Sequence, residues 1–472
     1  MKICLVIEGA YPYVQGGVSS WVNALITRMP EHEFILQTII ASPATCGDYK
    51  YDLPPNVVAV CECVLQTEAK KRGKPPRLTP QATDALRALV FGTSVCWEAL
   101  FDLFRRPFCI DALLMGAPFY NLVQERYAAF PNEAFTPFVW AFRSLLKPLL
   151  TALQQSAAVP VADVYHAVST GYAGVVAAQA GYLHNKPVLL TEHGIYTRER
   201  EEEIIRASWA KGTEKDFWIQ QYYQLSRCVY DRAAKVVAIS QHSQRMQAEI
   251  GCPAGKICVV PNGVPCDLYQ SLPGKVPQDA GYINLCAMAR VTPIKDIRTL
   301  ITAFSFAKAV VPNLRLFIMG STQEDPSYFR DCQDLTTQLN VADVVFTGHV
   351  PVRDYLGRMD MVILTSISEG QPLSLMEAMA AGKPCMATRV GCGAEILQAE
   401  STCPAGLVVS ALNVGDITKA IVCLAQDKVR CAQMGENGRR IAQTLYQESG
   451  YVAAYRGIYD ALNAQEKRGM RE

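Results

Sequence analysis

Two glutamates eight positions apart stand out in the segment 366–382, which also carries glycine, proline and serine. Glu369 precedes a predicted helix, and Glu377 lies within it. A helix that begins after such a loop presents free backbone N–H groups and the positive end of its dipole, and both features bind a diphosphate. At ~1.5 Å per helical residue the two carboxylates lie about 12 Å or more apart.

That separation favours one kind of chemistry over another. Glycoside hydrolases place their two carboxylates about 5 Å apart when they retain configuration and about 6.5–9.5 Å apart when they invert it. Carboxylates farther apart can hold opposite ends of one elongated ligand, with Glu369 at sugar hydroxyls and Glu377 at a ribose. The structural alternative is that Glu369 is a charge at a helix N-terminus and Glu377 a solvated helix residue.

Two cations follow the predicted strand 283–288, in the sequence Ala289-Arg290-Val-Thr-Pro-Ile-Lys295. Arg290 and Lys295 lie on a strand-to-helix loop, where they can neutralise a diphosphate leaving group as its charge develops. Surface cations with no such role are the alternative, since Arg and Lys are mostly exposed.

The first half of the chain offers two more loops after strands. Gly16 and Gly17 open a helix, and adjacent glycines permit unusual dihedral angles and close approach of the backbone to a ligand. His193 follows the strand 188–191 and is accompanied by Glu192, Tyr196 and Arg198. A loop histidine can donate a hydrogen bond to a sugar hydroxyl, although a purely structural histidine is also common.

We expect no metal and no cofactor. No two aspartates are separated by a single residue, and no pair among the 17 cysteines has the Cys-x-x-Cys spacing of zinc sites. Charge neutralisation would then rest on Arg290, Lys295 and the helix N-terminus. The 45 Lys and Arg residues nearly balance the 44 Asp and Glu residues, which argues against nucleic acid as a partner.

The elements that must position these residues alternate between short apolar strands and helices. This pattern predicts an α/β fold with parallel sheets covered on both faces. The strands predicted in the first half are 2–7, 34–40, 57–60, 164–167, 188–191, 235–239 and 257–260, with a helical insertion at about 79–157. Those predicted in the second half are 283–288, 314–319, 344–346, 361–364 and 384–388.

We expect three segments in the chain. The first is a Rossmann-like acceptor-side domain over 1–272, and the second is a Rossmann-like nucleotide-sugar-binding domain over 273–445. A C-terminal helix and charged tail follow over 446–472. The Pro- and Gly-containing segment 267–281 is the predicted linker, and the two doubly wound domains are expected to face each other across a cleft that holds the site.

A cytoplasmic location is expected, with peripheral attachment at the inner face of the membrane as a variant of it. The segment 2–8 is too short in apolar residues for a signal peptide and is predicted to be a strand. The uncharged segment 164–185 contains polar residues and glycines, so it is predicted to be a strand, a turn and a buried helix rather than a membrane span.

Taken together, these motifs resemble glycosyltransferase family four, which comprises retaining enzymes of the GT-B fold. Glu369 and Glu377 match its E-x7-E motif, Arg290 and Lys295 its diphosphate-binding pair, and Gly16-Gly17 its N-terminal loop. The resemblance implies that His193 contacts the sugar and that no protein nucleophile takes part. It also implies nucleotide-sugar binding by Val350, Gln371, Leu373, Ser374 and Leu375.

A narrower resemblance is to the PelF glycosyltransferases of Pel exopolysaccharide synthesis, in the segments 8–21 and 190–200. It implies transfer of a hexose or N-acetylhexosamine from a UDP-sugar to a growing polysaccharide. It also implies an inner-membrane synthase and export complex as partner. The alternatives are a nucleotide-sugar epimerase and a catalytically silent subunit that only binds the UDP-sugar.

Overall fold

The computed structural model describes residues 1–66 and 74–469. The end of the predicted charged tail, residues 470–472, lies outside the described residues. The chain divides into two compact units. One comprises the described residues within 1–239, 244–259 and 455–469, and the other comprises 240–243 and 260–454. The segment 267–281, predicted as a linker, lies within the second unit.

The first unit is built on a parallel sheet of seven strands in the order β3-β2-β1-β4-β5-β6-β7. The strand order reverses between β1 and β4, because the chain adds β2 and β3 on one side of β1 and then returns to add β4 on the other side. The strands are β1 Lys2–Glu8, β2 Glu33–Ile40, β3 Val57–Val64, β4 Val164–Ala167, β5 Val188–Glu192, β6 Lys235–Ala238 and β7 Ile257–Val259.

Helices cover this sheet, and five of them lie between β3 and β4, where the helical insertion was predicted. The helices up to β7 are α1 Gly17–Thr27, α2 Pro80–Phe91, α3 Trp97–Leu103, α4 Ile110–Leu114, α5 Ala117–Tyr127, α6 Phe135–Ser156, α7 Gly171–His184, α8 Tyr196–Arg206, α9 Thr213–Arg232 and α10 Gln241–Ile250.

Helix α7 is buried on every side over its first eleven residues, because it packs against the sheet and against α6 and α9. Its sequence of Gly, Ala and Val without charges suits that position. Helix α6 instead buries one face, including Phe138, Phe142 and Leu146, and leaves Trp140 exposed. The prediction of a strand and a buried helix over 164–185 is confirmed.

The second unit contains a parallel sheet of six strands in the order β10-β9-β8-β11-β12-β13. Here β8 and β11 are the neighbours at the reversal of strand order. The strands are β8 Ile283–Met288, β9 Leu314–Met319, β10 Val344–Gly348, β11 Met361–Leu364, β12 Cys385–Thr388 and β13 Gly406–Val409. The edge strand β13 was not predicted from the sequence.

The remaining helices cover both faces of this second sheet, so both units have the doubly wound arrangement that was predicted. They are α11 Ile297–Val310, α12 Pro326–Gln338, α13 Val352–Leu356, α14 Leu373–Ala380, α15 Gly393–Leu397, α16 Val414–Gln426, α17 Lys428–Leu445 and α18 Glu448–Gly469. Helix α18 begins in the second unit and ends in the first.

Among the described residues, no helix combines the length and the apolar character needed to cross a membrane. All seventeen cysteines are free thiols. Burial raises the pKa of the Cys286 thiol to about 12, which keeps it protonated at neutral pH.

Candidate functional site

The loops that follow β8 and β11 meet at the reversal of strand order in the second sheet. The Ile367 N–H group donates to the Ile294 carbonyl oxygen at 2.8 Å. The Thr365 hydroxyl donates to the carbonyl oxygens of Lys295, at 3.1 Å, and Asp296, at 3.3 Å. Ligands of doubly wound sheets bind beyond the carboxyl ends of the strands at this point. The two loops that carry the predicted catalytic groups are therefore joined where a ligand is expected.

Lys295 and Glu369 form an ion pair across these loops, with 2.5 Å between Nζ and Oε1. Their side chains are 16% and 9% exposed, so the pair is mostly buried. The Ser366 hydroxyl also donates to Oε1 of Glu369, at 2.5 Å. The two residues were predicted to contact different parts of a ligand, and their contact with each other was not predicted from the sequence.

Arg290 lies on the same loop but points its charge elsewhere. Its Nη1 atom donates to Glu324 at 2.7 Å, and both side chains are exposed, at 57% and 44%. Glu324 belongs to the loop after β9, which passes close to the β8 loop. That approach requires Gly320, because a Cβ there would lie 2.1 Å from the Ala289 carbonyl oxygen.

Helix α14 begins at Leu373, directly after Pro372. The N–H group of Leu375 donates to the Pro372 carbonyl oxygen at 3.1 Å, so this predicted phosphate donor has an internal partner. The Leu375 side chain is fully buried, whereas Leu373 and Ser374 are partly exposed. Gln371, just before the helix, accepts the Asn262 N–H group on its Oε1 atom at 2.7 Å.

Glu377 lies within α14, as predicted, and is not a solvated helix residue. Burial raises the pKa of its carboxyl group, while a hydrogen bond from the Tyr269 hydroxyl acts in the opposite direction. Val350 follows β10 and packs, half-buried, against one of the unit's two apolar cores. The structure thus places Glu369 and Glu377 on one loop and helix, and Val350 after a different strand.

The loop after β12 supports the Glu369 loop from behind. Gly391 has a φ of +50°, and a Cβ there would lie 1.9 Å from the Glu369 carbonyl oxygen. Next to it, the Cys392 thiol donates to the Gly370 carbonyl oxygen at 3.0 Å. These two supports and Tyr269 were not predicted from the sequence, although the Gly-Cys-Gly run after a predicted strand is a recognisable signal.

In the first unit, Gly16 precedes α1 and Gly17 is its first residue. Gly16 has a φ of 171°, which is extended backbone open to any residue, so the argument from unusual dihedral angles does not hold there. A Cβ on Gly16 would have no neighbour within 4 Å, so there is room for a ligand to approach the backbone.

His193 directly follows β5, and its ring lies edge-on to Trp21 with 4.5 Å between ring centroids. Burial lowers the pKa of His193 to about 4, so the ring is neutral at pH 7. Its Nε2 atom is buried and has no hydrogen-bond partner among the described residues. A neutral ring with a free nitrogen can exchange a hydrogen bond with a ligand hydroxyl but cannot supply a charge.

The residues that accompany His193 in the sequence make contacts within the protein. Glu192 is fully buried and accepts hydrogen bonds from four protein donors, which belong to Thr170, Tyr196, Tyr230 and Gln247. Arg198 is exposed and pairs with Glu201 at 3.4 Å. Among these four residues in the described structure, His193 has a buried ring nitrogen without a hydrogen-bond partner, whereas Glu192 is engaged within the protein and Arg198 is exposed.

Within residues 1–66 and 74–469, no group of three or more His, Cys, Asp or Glu side chains is arranged to hold a metal ion. The expectations of no metal and no cofactor remain predictions.

Comparison with known families gives two matches. Residues 1–255 match the family described as "Domain of unknown function (DUF3492)", and residues 283–427 match "Glycosyl transferases group 1". The chain is also 25% identical over 284 residues to the MMP alpha-(1->4)-mannosyltransferase of Mycolicibacterium hassiacum, a match that covers 59% of this chain and 66% of that protein. A putative colanic acid biosynthesis glycosyltransferase, WcaL of Escherichia coli, is 29% identical over 268 residues, covering 54% and 60%.

The chain therefore spans between about half and two thirds of the length of the first curated relatives it matches. Solved structures align over almost the whole chain. Anabaena HepE in complex with UDP has a TM-score of 0.64 at 16% identity, covering 98% of this chain and 100% of that one. Sucrose-phosphate synthase of Thermosynechococcus elongatus also has a TM-score of 0.64, at 17% identity, covering 98% and 99%.

These alignments and the two parallel sheets confirm the prediction of a GT-B fold built from two Rossmann-like domains. The family matches divide along the same line, one over the first sheet and one over the second. The chain belongs to the family described as "Domain of unknown function (DUF3492)", and its second sheet carries a match to the group 1 glycosyl transferases.

Proposed function

We propose that the protein transfers a hexose or an N-acetylhexosamine from a UDP-sugar to a growing polysaccharide, with retention of anomeric configuration and without a metal ion. The observation that carries the proposal is the Lys295–Glu369 pair beyond β8 and β11, next to the start of α14. It puts a cation, a carboxylate and a helix N-terminus at the reversal of strand order, which supports a site for a sugar linked to a diphosphate.

In this proposal each side chain has a defined task. Lys295 and Arg290 stabilise the charge that accumulates on the departing diphosphate. Glu369 binds hydroxyls of the sugar, and Glu377 binds the ribose. Val350, Gln371 and the backbone N–H groups of Leu373 and Ser374 complete the nucleotide-sugar site, next to Leu375, whose own N–H group is bound to Pro372. His193, Gly16 and Gly17 contact the sugar.

The chemical step is a substitution on one face of the sugar. The bond between C1 and the phosphate oxygen breaks, and a bond between C1 and the acceptor oxygen forms on the same side. The departing phosphate oxygen takes the acceptor's proton, so neither a protein nucleophile nor a protein base is required. The main demand on the protein is then to hold the diphosphate in a preorganised field.

Independent support comes from the names of the relatives. Both relatives described above are named as glycosyltransferases, and HepE has been crystallised with UDP and with UDP-glucose. The resemblance to the PelF enzymes in segments 8–21 and 190–200 supports a narrower role in exopolysaccharide synthesis. In that role the protein is cytoplasmic and works at the inner face of a membrane-bound synthase and export complex.

A panel of labelled UDP-sugars tests the proposal. Release of UDP together with a labelled acceptor is the expected result, and the anomeric configuration of the product, read by NMR, tests retention. A changed sugar still attached to UDP would identify an epimerase. UDP binding without turnover of any donor would identify a silent subunit. Turnover should survive EDTA, and a loss that magnesium or manganese restores would contradict the metal-independent step.

A further inference from the structure

The second half of α18 packs against the first unit beside the carboxyl ends of β4 and β5. Tyr455 and Tyr459 are almost fully buried there, with 1% and 0% of their surface exposed. Farther out, Arg456 donates through Nε to the Glu31 carboxylate at 2.6 Å and through Nη2 to the Arg28 carbonyl oxygen at 3.2 Å. The helix is thus fixed by polar contacts both inside the unit and at its surface.

A continuous set of buried hydrogen bonds links this helix to the two strands. The Tyr459 hydroxyl lies 2.7 Å from Nδ1 of His166, and Nε2 of the same ring lies 2.8 Å from the Thr191 hydroxyl. The Thr191 hydroxyl in turn lies 2.8 Å from the Tyr455 hydroxyl. Burial lowers the pKa of His166 to about 3, so its neutral ring uses one nitrogen as donor and the other as acceptor.

The set returns to α18 at Tyr455, and its member Thr191 lies two residues before His193, which directly follows β5. The Trp21 ring also connects this helix to His193 through aromatic contacts. The Trp21 ring lies edge-on to Tyr455, at 5.2 Å between centroids, and edge-on to His193, at 4.5 Å. His193 is therefore held along the chain through Thr191 and through space by Trp21, and both of these residues contact Tyr455.

We propose that His166, Thr191, Tyr455 and Tyr459 are positioning residues that fix the His193 imidazole, so that the C-terminal helix helps to present His193 Nε2 to a sugar hydroxyl. The inference rests on the proposed function. It accounts for a buried set of hydrogen bonds that passes through Thr191, two residues from a histidine whose Nε2 atom has no partner among the described residues, and for the Trp21 ring that contacts both Tyr455 and His193.

The test compares removal of single hydroxyl groups. Thr191→Val and Tyr455→Phe break the chain without changing side-chain volume much, and Thr191→Ser restores the hydroxyl. Tyr165→Phe is the matched control: Tyr165 is also fully buried on β4, but its hydroxyl donates to Pro160 at the opposite end of the strand, at 2.9 Å. All four variants are made in the full-length protein.

We expect Thr191→Val and Tyr455→Phe to lower kcat about tenfold, as a small misplacement of a reacting group does. The KM for the UDP-sugar should stay within about twofold, because the proposed nucleotide contacts lie on the second sheet. Thr191→Ser should recover most of the rate, and Tyr165→Phe should lower Tm with kcat unchanged. Equal kcat in Tyr455→Phe and Tyr165→Phe, at equal folded fraction, would overturn the positioning role.

Histidine ring ¹⁵N spectra give a reading that does not depend on turnover. Thr191→Val and Tyr455→Phe should move the His193 ring resonances, and Tyr459→Phe should change the tautomer balance of His166. Unmoved His193 resonances in both variants would overturn the inference even if the wild type is active. An inactive wild type in which these resonances do move would instead refute the proposed function and leave the positioning of His193 intact.

Discussion

The six strands of the second sheet follow the same order as the first six strands of the seven-stranded sheet. The polar residues beyond the central strands nevertheless differ in how many hydrogen-bond donors and acceptors they leave without a partner. In the first unit, Glu8 accepts the N–H groups of Tyr172 and Ala173, at 2.9 and 3.3 Å, and so caps α7. Glu192 accepts from four donors. Glu8 thus uses its Oε2 atom, and Glu192 uses both carboxylate oxygens, to hold the first unit together.

In the second unit, the cationic groups beyond the central strands have hydrogen-bond donors without partners among the described residues. Lys295 carries three N–H donors and has one carboxylate partner among the described residues, and Arg290 has one partner for five donors. A polar residue that lies beyond a central strand therefore need not contact a ligand. Unused donors and acceptors distinguish the candidate site from the structural network.

Removal of Glu192 tests the structural side of the comparison and has the largest expected effect. Glu192→Ala leaves four donors without their acceptor, and breaking such a buried network costs about 3–5 kcal/mol in the free energy of unfolding. Urea denaturation measures the loss, with Glu203→Ala, an exposed partner of Arg200, as control. A stable Glu192→Ala protein that fails to bind UDP would contradict the division between the two regions.

Removal of Lys295 tests the functional side. Lys295→Ala should lower kcat by about 10²–10³, or ~3–4 kcal/mol, because the contact strengthens as charge accumulates on the leaving group. Lys308 is the matched control: its side chain is also 16% exposed, and it pairs with Asp343 at 2.9 Å. Lys308→Ala should lower Tm and leave kcat per folded molecule unchanged. A normal kcat in folded Lys295→Ala would remove Lys295 from the site.

The strands that carry these loops could be predicted because they are short apolar runs bounded by polar or turn residues. The segments 164–167, 283–288, 314–319 and 361–364 match the observed strands at both ends. The edge strand β13 escaped prediction because four residues, one of them glycine, give too little pattern. The other edge strands, β3, β7 and β10, were predicted with the correct first residue but not the correct last one.

The site could be predicted only as far as the loops on which its residues stand. The pairing of Lys295 with Glu369 depends on β8 lying beside β11, which is a property of strand order rather than of either loop. Composition also misled in the segment 267–281. Its prolines and glycines suggest a linker, yet Asp279 is fully buried and accepts from Arg358 at 2.9 Å and Arg315 at 3.4 Å.

Substitution of Glu369 and substitution of Glu377 should have different effects on ligand binding. Glu377→Ala should weaken binding of UDP about tenfold, or ~1.4 kcal/mol, because a ribose contact is present in both donor and product. Glu369→Ala should leave UDP affinity nearly unchanged and impair use of the UDP-sugar, since the sugar is absent from UDP. Calorimetric titration with UDP and steady-state kinetics separate the two. Equal losses of UDP affinity in both variants would refute the assignment.

The smallest expected effect concerns Glu324, the exposed partner of Arg290. If Arg290 binds the diphosphate, Glu324 competes for the same guanidinium group and must release it when the nucleotide arrives. Exposed ion pairs contribute only about 0–1 kcal/mol, so Glu324→Gln should tighten UDP binding by no more than about fivefold. This gain in UDP affinity should be smaller at high salt, because salt already screens the charge of Glu324 in the wild type.

Glu400→Gln is the control for this last change, because Glu400 forms a similarly exposed pair with Arg440, at 2.6 Å, on the same unit. It should leave UDP affinity unaltered, so that any gain in Glu324→Gln reports on Arg290 rather than on net charge. The measurement is a UDP titration at low and high ionic strength. If both variants bind UDP as the wild type does, Arg290 does not share its guanidinium group between Glu324 and the diphosphate. The diphosphate charge would then rest on Lys295 and the helix N-terminus alone.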